Sequence, residues 1–424
     1  MGTFATFSLL IVIAALFAYV NFRVLKLPSS IGLMFLALLF SVLLVAVGKM
    51  MPHVLGDMQS LVQHLDLSRL LMNNMLGFLL FAGAIHIKLD ILRQEKWAVM
   101  ALSTVGVITS TMLVGTVMFY LLAAFGIPME YLHCLLFGAL ISPTDPIAVL
   151  GILKEAKVPP SLEMKIAGES LFNDGVAVVV FLTILEISES PASFGWSEVA
   201  VLFVQEAVGG IAFGLVIGYI TFVMMRSIDN YKVEVLLSLA VVMGGYALAQ
   251  ALHVSGPLAM VAAGILIGNH GKKHAMSKIT EEYVDKFWEL IDEILNAMLF
   301  VLIGLELLVV KLDPIHFVVG GIAILLILVV RYVSVWVPAQ LIRFKERMHH
   351  PTLLMLTWGG LRGGISIAMA ISLGDTFDRG LWITLTYIVV TFSILVQGMT
   401  IGKLARRLAK RQKVQKANSP RSAR

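Results

Sequence analysis

Three stretches of the chain carry ionisable side chains within otherwise apolar sequence. Ser142-Pro143-Thr144-Asp145-Pro146 sets a carboxylate between two prolines. Glu169-Ser170-Leu171-Phe172-Asn173-Asp174-Gly175 holds two carboxylates with a serine and an asparagine among them. Gly359-Gly360-Leu361-Arg362-Gly363-Gly364 surrounds an arginine with four glycines. Carboxylate, hydroxyl and carbonyl oxygens are the ligands that hard cations prefer. A carboxylate shielded from water is favoured as the neutral acid, whereas a bound cation favours its ionised form. One such group can hold a proton or a small cation, but not both.

The elements that must position these residues follow from composition. Of 424 residues, 58% are hydrophobic and 14% charged, against about a quarter charged in soluble domains. Apolar runs near twenty residues recur from end to end, each long enough to cross a hydrocarbon layer of ~30 Å. The first, Phe4 to Asn21, has its charges Arg23 and Lys26 after it, so it is expected to be a permanent helix and not a signal peptide. The pattern predicts thirteen spans: 4–22, 29–48, 71–87, 98–125, 132–152, 163–187, 198–225, 234–251, 256–269, 289–310, 316–342, 352–372 and 381–402. The expected fold is an all-α polytopic membrane protein, with one transmembrane unit over 1–402 and a basic tail over 403–424.

Basic residues orient the spans. With the N-terminus outside and the C-terminus in the cytoplasm, only Lys49, Arg69, Lys311 and Arg379 of the 32 Lys and Arg lie outside, and Arg331 and Arg362 lie within spans. The net charge of +5 then belongs to cytoplasmic loops and the tail, with no nucleic-acid partner implied. Cys134 is the only cysteine, which excludes intrachain disulfides and thiol metal clusters. No Walker-type loop occurs, so no nucleotide partner or cofactor is expected. The bilayer is the expected partner.

Span 5 carries the two prolines and span 12 the glycines, so both are expected to break in mid-membrane, where non-helical backbone survives only inside protein or beside a water-filled cavity. Seven spans apart, they run in opposite directions. Spans 1–6 (4–187) and 8–13 (234–402) then form two inverted six-helix repeats joined by span 7 (198–225), with the broken helices crossing at the midplane. Matched interruptions of this kind mark a transporter's substrate site.

Asp174 lies eleven residues into span 6, ~16 Å along it and near the membrane centre. Spacing of i, i+4 joins Glu169 to Asn173 and Ser170 to Asp174 on adjoining faces. A carboxylate at that depth costs roughly 2.5–3.5 kcal/mol and is functional by default. We assign Glu169 to an ion pair with Arg362. Arg331, in span 11, needs a partner of its own, and Glu306 is the candidate. Three acids facing at most two arginines leave one carboxylate for a cation or a proton. Alternating access to the two sides would turn that competition into exchange without ATP.

These motifs resemble the monovalent cation:proton antiporter-1 family, the sodium/proton exchangers of prokaryotic type. The likeness is close over Gly138–Gly175 and at Gly359-Gly360-Leu361-Arg362-Gly363, and weaker at Gly304-Leu305-Glu306-Leu307. It implies that Asp174 carries the exchanged Na+ or Li+ or the proton. It further implies that Asn173 orients the site, Thr144 and Ser170 supply oxygen ligands to the monovalent cation, Asp145 offsets the dipoles of the broken helices, and Glu169 bridges Arg362. The Asn-Asp pair resembles the electroneutral branch. Family membership implies a homodimer, and the short tail fits a prokaryotic inner membrane. Ala82 in span 3 stands where some relatives have a glutamate, which puts a contribution from that span in doubt.

The nearest alternative is potassium/proton exchange, since the same oxygens serve either ion. An intramembrane aspartyl protease using Asp145 and Asp174, and a channel, are readings from other classes. Asp292 and Glu293 at the start of span 10 are expected to be solvated, or else to line a cytoplasmic funnel. Among the histidines, His270, His274, His349 and His350 are expected in loops, while His86 and His133 near helix ends are better placed to sense pH. The run Gly209-Gly210-Ile211-Ala212-Phe213-Gly214 is expected to serve close helix packing, at a dimer interface or within the chain.

Overall fold

The computed structural model describes residues 3–48, 75–145, 149–151, 153, 158–189, 196–306, 313–341 and 350–417. Pro146, Lys49, Arg69, Lys311 and His349 lie outside them, as does the side chain of Glu306. The described chain is almost entirely helical. We number the main helices α1 (Thr3–Val20), α2 (Ser29–Gly48), α3 (Leu76–Ile85), α4 (Leu89–Ser103), α5 (Val105–Ala124), α6 (Tyr131–Ile141), α7 (Pro160–Glu189), α8 (Trp196–Arg226) and α9 (Tyr231–Ala240). Then follow α10 (Tyr246–Ala251), α11 (Gly256–Leu266), α12 (Lys278–Glu306), α13 (Pro314–Leu341), α14 (His350–Gly359), α15 (Gly364–Ser372), α16 (Arg379–Phe392) and α17 (Gly398–Ala417).

By length and apolarity, seven helical segments among the described residues can each cross a membrane, with shorter apolar helices at Ser29–Leu44, Leu76–Ile85 and Tyr131–Ile141. The thirteen predicted spans are not recovered as thirteen continuous helices, for a physical reason. Span 5 stops at Ile141, and span 12 is divided into α14 and α15.

Helix ends also differ from the hydropathy boundaries. Apolar sequence locates the part of a helix that must avoid water, while the helix itself continues for as long as one face stays solvated. Thus α12 begins at Lys278, eleven residues before the predicted start of span 10. Helix α17 runs on through the predicted tail to Ala417. Elsewhere local caps set the ends. The Asn230 side chain accepts from the Lys232 N–H at the start of α9, and Ser255 does so from Leu258 at the start of α11, with Pro257 in its first turn.

Helix α7 is the axis of the molecule, with its polar run enclosed by α4, α6 and α11. Around it, small residues bring backbones close, as expected where lipid offers no hydrophobic drive between helices. A Cβ on Gly138 of α6 would lie 2.3 Å from the Thr111 carbonyl oxygen of α5. One on Gly214 of α8 would lie 2.2 Å from the Ala259 carbonyl oxygen of α11, and one on Gly210 would lie 2.6 Å from that of Ser255. The glycine run of α8 therefore serves close packing inside the chain. On its other face α8 exposes Val201, Val204, Val208, Leu215 and Tyr219, an apolar surface suited to lipid.

These contacts predict an asymmetry among glycines. Gly214→Ala should lower the melting temperature of the detergent-solubilised protein, through overpacking worth about 1–3 kcal/mol. Gly321→Ala, where a Cβ would meet nothing within 4 Å, should not. Size-exclusion fluorescence after heating checks both.

Candidate functional site

The two broken helices meet. The Asp145 N–H donates to the Leu361 carbonyl at 2.7 Å, forming an isolated antiparallel bridge between the unwound segment after α6 and the one joining α14 to α15. Proline ends the first helix by removing donors, and the glycines let the second approach closely. A Cβ on Gly363 would come within 2.6 Å of the Asp145 Cβ, and one on Gly360 within 2.6 Å of Arg331 Nε.

A helix that stops leaves carbonyls unpaired and a partial negative charge at its C-terminal end. Each carbonyl end here is met by an arginine. Arg362 Nη1 donates to the Ser142 carbonyl at 2.5 Å and the Pro143 carbonyl at 3.0 Å, just past α6. Arg331 Nη2 donates to the Leu356 carbonyl at 3.2 Å, in the last turn of α14. Asp145 lies against Gly363, immediately before α15, where the helix N-terminus favours an acid. The Arg362 N–H donates to Ser393 Oγ at 2.9 Å, and that hydroxyl donates to Gln397 Oε1 at 2.7 Å, within a π turn after α16. Such turns recur at functional sites.

Glu169 pairs with Arg331, not Arg362. Its Oε1 lies 2.6 Å from Arg331 Nη1, with both side chains buried. The expected Glu169–Arg362 pair is thereby corrected, while the Glu306 side chain expected beside Arg331 lies outside the described residues. Spacing along the chain sets the depth of each charge, but the direction in which a side chain leaves its helix selects the partner. Arg362 projects from an extended segment onto the carbonyls of α6, and Arg331 of α13 fills the space beside Gly360. A second pair, buried Lys165 with half-buried Glu95 at 3.2 Å, joins α7 to α4.

Thr144, Ser170 and Asn173 come together as expected. Asn173 Nδ2 donates to Thr144 Oγ1 at 2.8 Å, and the Thr144 N–H donates to Asn173 Oδ1 at 3.3 Å, so one amide holds the unwound residue from two sides. Thr144 Oγ1 and Ser170 Oγ are 2.8 Å apart. Asp174 adjoins them, 7% exposed, and among the described residues no hydrogen-bond donor or basic side chain reaches its carboxylate.

Thr144, Asp145 and Asp174 line one cavity of about 670 Å³. Its other walls include Ala82 and His86, and Asp285, Glu289, Asp292 and Asn296 of α12. Ala82 brings no ligand oxygen to it. Asp292 is not a solvated residue at a helix start, because α12 begins fourteen residues earlier, at Lys278. It faces the cavity, as the funnel alternative had it. Glu293 instead borders a separate groove beside α1. The i, i+4, i+7, i+11 spacing of 285, 289, 292 and 296 was the signal that the sequence reading passed over. Of the histidines considered for sensing, His86 lies 3.7 Å from Asp285, and His133 lies 3.8 Å from Glu130 and packs against the Phe377 ring.

Among the described residues, a buried carboxylate with no base beside it lines a cavity of several hundred cubic ångströms where two broken helices cross. This arrangement defines a multi-pass membrane protein with a polar cavity between discontinuous helices. The family model described as "Sodium/hydrogen exchanger, transmembrane" matches residues 11–407, and the chain belongs to that family. It is 50% identical over 420 residues to the Na(+)/H(+) antiporter NhaP of Pseudomonas aeruginosa, covering 96% of this chain and 97% of that one. It is 34% identical to the Na(+)/H(+) antiporter NhaH of Halobacillus dabanensis, covering 91% and 93%. The solved structure of the sodium proton antiporter MjNhaP1 from Methanocaldococcus jannaschii at pH 8 aligns with a TM-score of 0.76 at 19% identity. That alignment covers 96% of this chain and 98% of that one, and it is a likeness of fold.

The ion-pair assignment predicts a pattern of rescue. Arg331→Leu should leave Glu169 buried and unpaired, at a cost of about 3–5 kcal/mol. Adding Glu169→Gln should restore most of the folded yield. The same second change should not rescue Arg362→Leu, whose partners are carbonyls. Thermal stability of the four variants in detergent reads the difference.

Proposed function

We propose that this chain is a secondary antiporter exchanging Na+, or Li+, for H+, with cation and proton competing for Asp174. The observation that carries this reading is the buried Asp174 carboxylate, unpaired among the described residues, in the wall of the cavity. Such a group must hold a proton or a cation, since an isolated buried charge is costly. Thr144 and Ser170 hydroxyls, with carbonyls of the unwound segment, complete an oxygen shell. Asn173 keeps Thr144 in place, and Asp145 balances the helix ends.

Charge counting supports one-for-one exchange. Arg331 and Arg362 face Glu169, Asp145 and Asp174, which leaves one negative charge. A proton or a monovalent cation on Asp174 neutralises it equally, so the loaded site has the same charge in both directions. The cycle is then electroneutral. Alternating access follows from two inverted six-helix repeats, 4–187 and 234–402, rocking about the crossing. The chain works in a cell inner membrane as a homodimer, with its N-terminus outside and its C-terminus in the cytoplasm.

The test uses liposomes with an entrapped pH dye, to which sodium, lithium or potassium is added. Wild type should move protons in response to sodium, and Asp174→Asn should abolish the response. Clamping the membrane potential with valinomycin and potassium should leave the wild-type rate unchanged. A wild type that moves no protons, or an active Asp174→Asn variant, would end the reading. Dependence on potential would end the electroneutral part alone.

A further inference from the structure

The cavity lined by Asp174 has an acidic wall that plays no part in holding the broken helices. Asp285, Glu289, Asp292 and Asn296 all line it from α12. Their spacing keeps them on one helical face over about 16 Å of rise. The acids in this row are not equivalent. Asp285, at one end, is already engaged by the Lys272 ammonium, with His86 Nδ1 3.7 Å away. Asp292 lies seven residues further along the helix, towards the site.

The Asp292 carboxylate is aimed and kept without a base. Asn296 Nδ2 donates to its Oδ1 at 3.0 Å and to its own carbonyl oxygen at 2.8 Å, so one amide fixes both the turn and the side chain. Among the described residues no lysine, arginine or histidine nitrogen lies within 4 Å of it. Asp145 and Asp174 line the same space, and the basic group that also lines it, His86, lies beside Asp285. A carboxylate present only to hold the helix in place would be expected to sit beside a base, as Glu169, Glu95 and Asp285 do. Across the cavity Ala82 offers no oxygen, so α12 is the element that adds carboxylates to those of α7 and the unwound segment.

The geometry points to Asp292 as a second cation-binding carboxylate, a vestibular subsite that a monovalent cation occupies before it reaches Asp174. This rests on the reading of Asp174 as the exchanged group. Neighbouring carboxylates in one cavity repel each other, and a small cation entering from water relieves that repulsion before it gives up its shell to the inner oxygens. The partly open setting of Asp292 suits an ion that keeps some water. The enclosed setting of Asp174 suits one that has lost most of it. Asp292 therefore governs how readily the cation loads, while Asp174 governs whether exchange occurs.

Sodium-driven proton movement in liposomes, measured across sodium concentrations, separates the two roles. Asp292→Asn should raise the apparent KM for sodium about fivefold or more while maximal rate stays within about twofold of wild type, the signature of lost binding without lost turnover. Asp292→Glu should restore most of the affinity. Asn296→Ala, which frees the carboxylate without removing its charge, should raise KM by a smaller factor. Glu293→Gln, one residue along but bordering the other groove, should leave KM unchanged.

An unchanged KM in Asp292→Asn, or a fall in maximal rate with KM unchanged, would overturn the proposal. So would an equal rise in Glu293→Gln, which would reduce the effect to general surface charge. If Asp292→Asn does not fold, an unchanged KM in Asn296→Ala overturns it instead. Loss of exchange in Asp174→Asn, with wild type active, keeps the underlying reading intact whatever Asp292 does.

Discussion

Two helices stop inside this protein at membrane depth, and their free backbone ends set the terms for nearly every buried charge. Water cannot pair those groups there, and each one left unpaired would cost several kcal/mol. The chain pairs the breaks with each other, Asp145 N–H to Leu361 carbonyl, and then brings an arginine to each carbonyl end. Glu169 neutralises one arginine, Gly360 and Gly363 make room, and Asn173 pins Thr144. Remove the need to satisfy those ends and most of this constellation has no reason to exist.

The same interaction shapes the proposed cation site without a dedicated cage. Unwinding brings the Thr144 hydroxyl beside Ser170 of α7, and it leaves Asp174 of α7 facing a cavity. Because the arginines are occupied by carbonyls and by Glu169, neither is spent on Asp174. The site's reactivity is thus a remainder: a carboxylate left over when every structural demand has been met. A structural pair and a functional acid sit five residues apart on one helix, Glu169 and Asp174. Which partner reaches each of them separates the two.

Much of this was legible in the sequence because the signals were local. Prolines around Asp145 and glycines around Arg362 announced the breaks, and i, i+4 spacing grouped Glu169 through Asp174 on one polar face. What the sequence did not reveal was direction across the bundle. Glu169 and Arg331 are 162 positions apart, and depth alone could not choose between two arginines at similar height. Hydropathy also mistook the end of an apolar stretch for the end of a helix. It started span 10 at 289 and made Asp292 a terminal residue, while α12 carries on back to Lys278 with one face in water. The acidic row on α12 was hidden by that single boundary.

The central claim is that cation and proton exclude each other on Asp174. Calorimetric titration of the detergent-solubilised protein with sodium chloride, in two buffers of different ionisation enthalpy, measures it without transport. Proton release appears as a buffer-dependent heat. The account predicts release of about one proton per sodium bound near the pH at which the site is protonated, and no buffer-dependent heat in Asp174→Asn. Sodium binding to wild type with no proton released at any pH, or undiminished release in the variant, would contradict it.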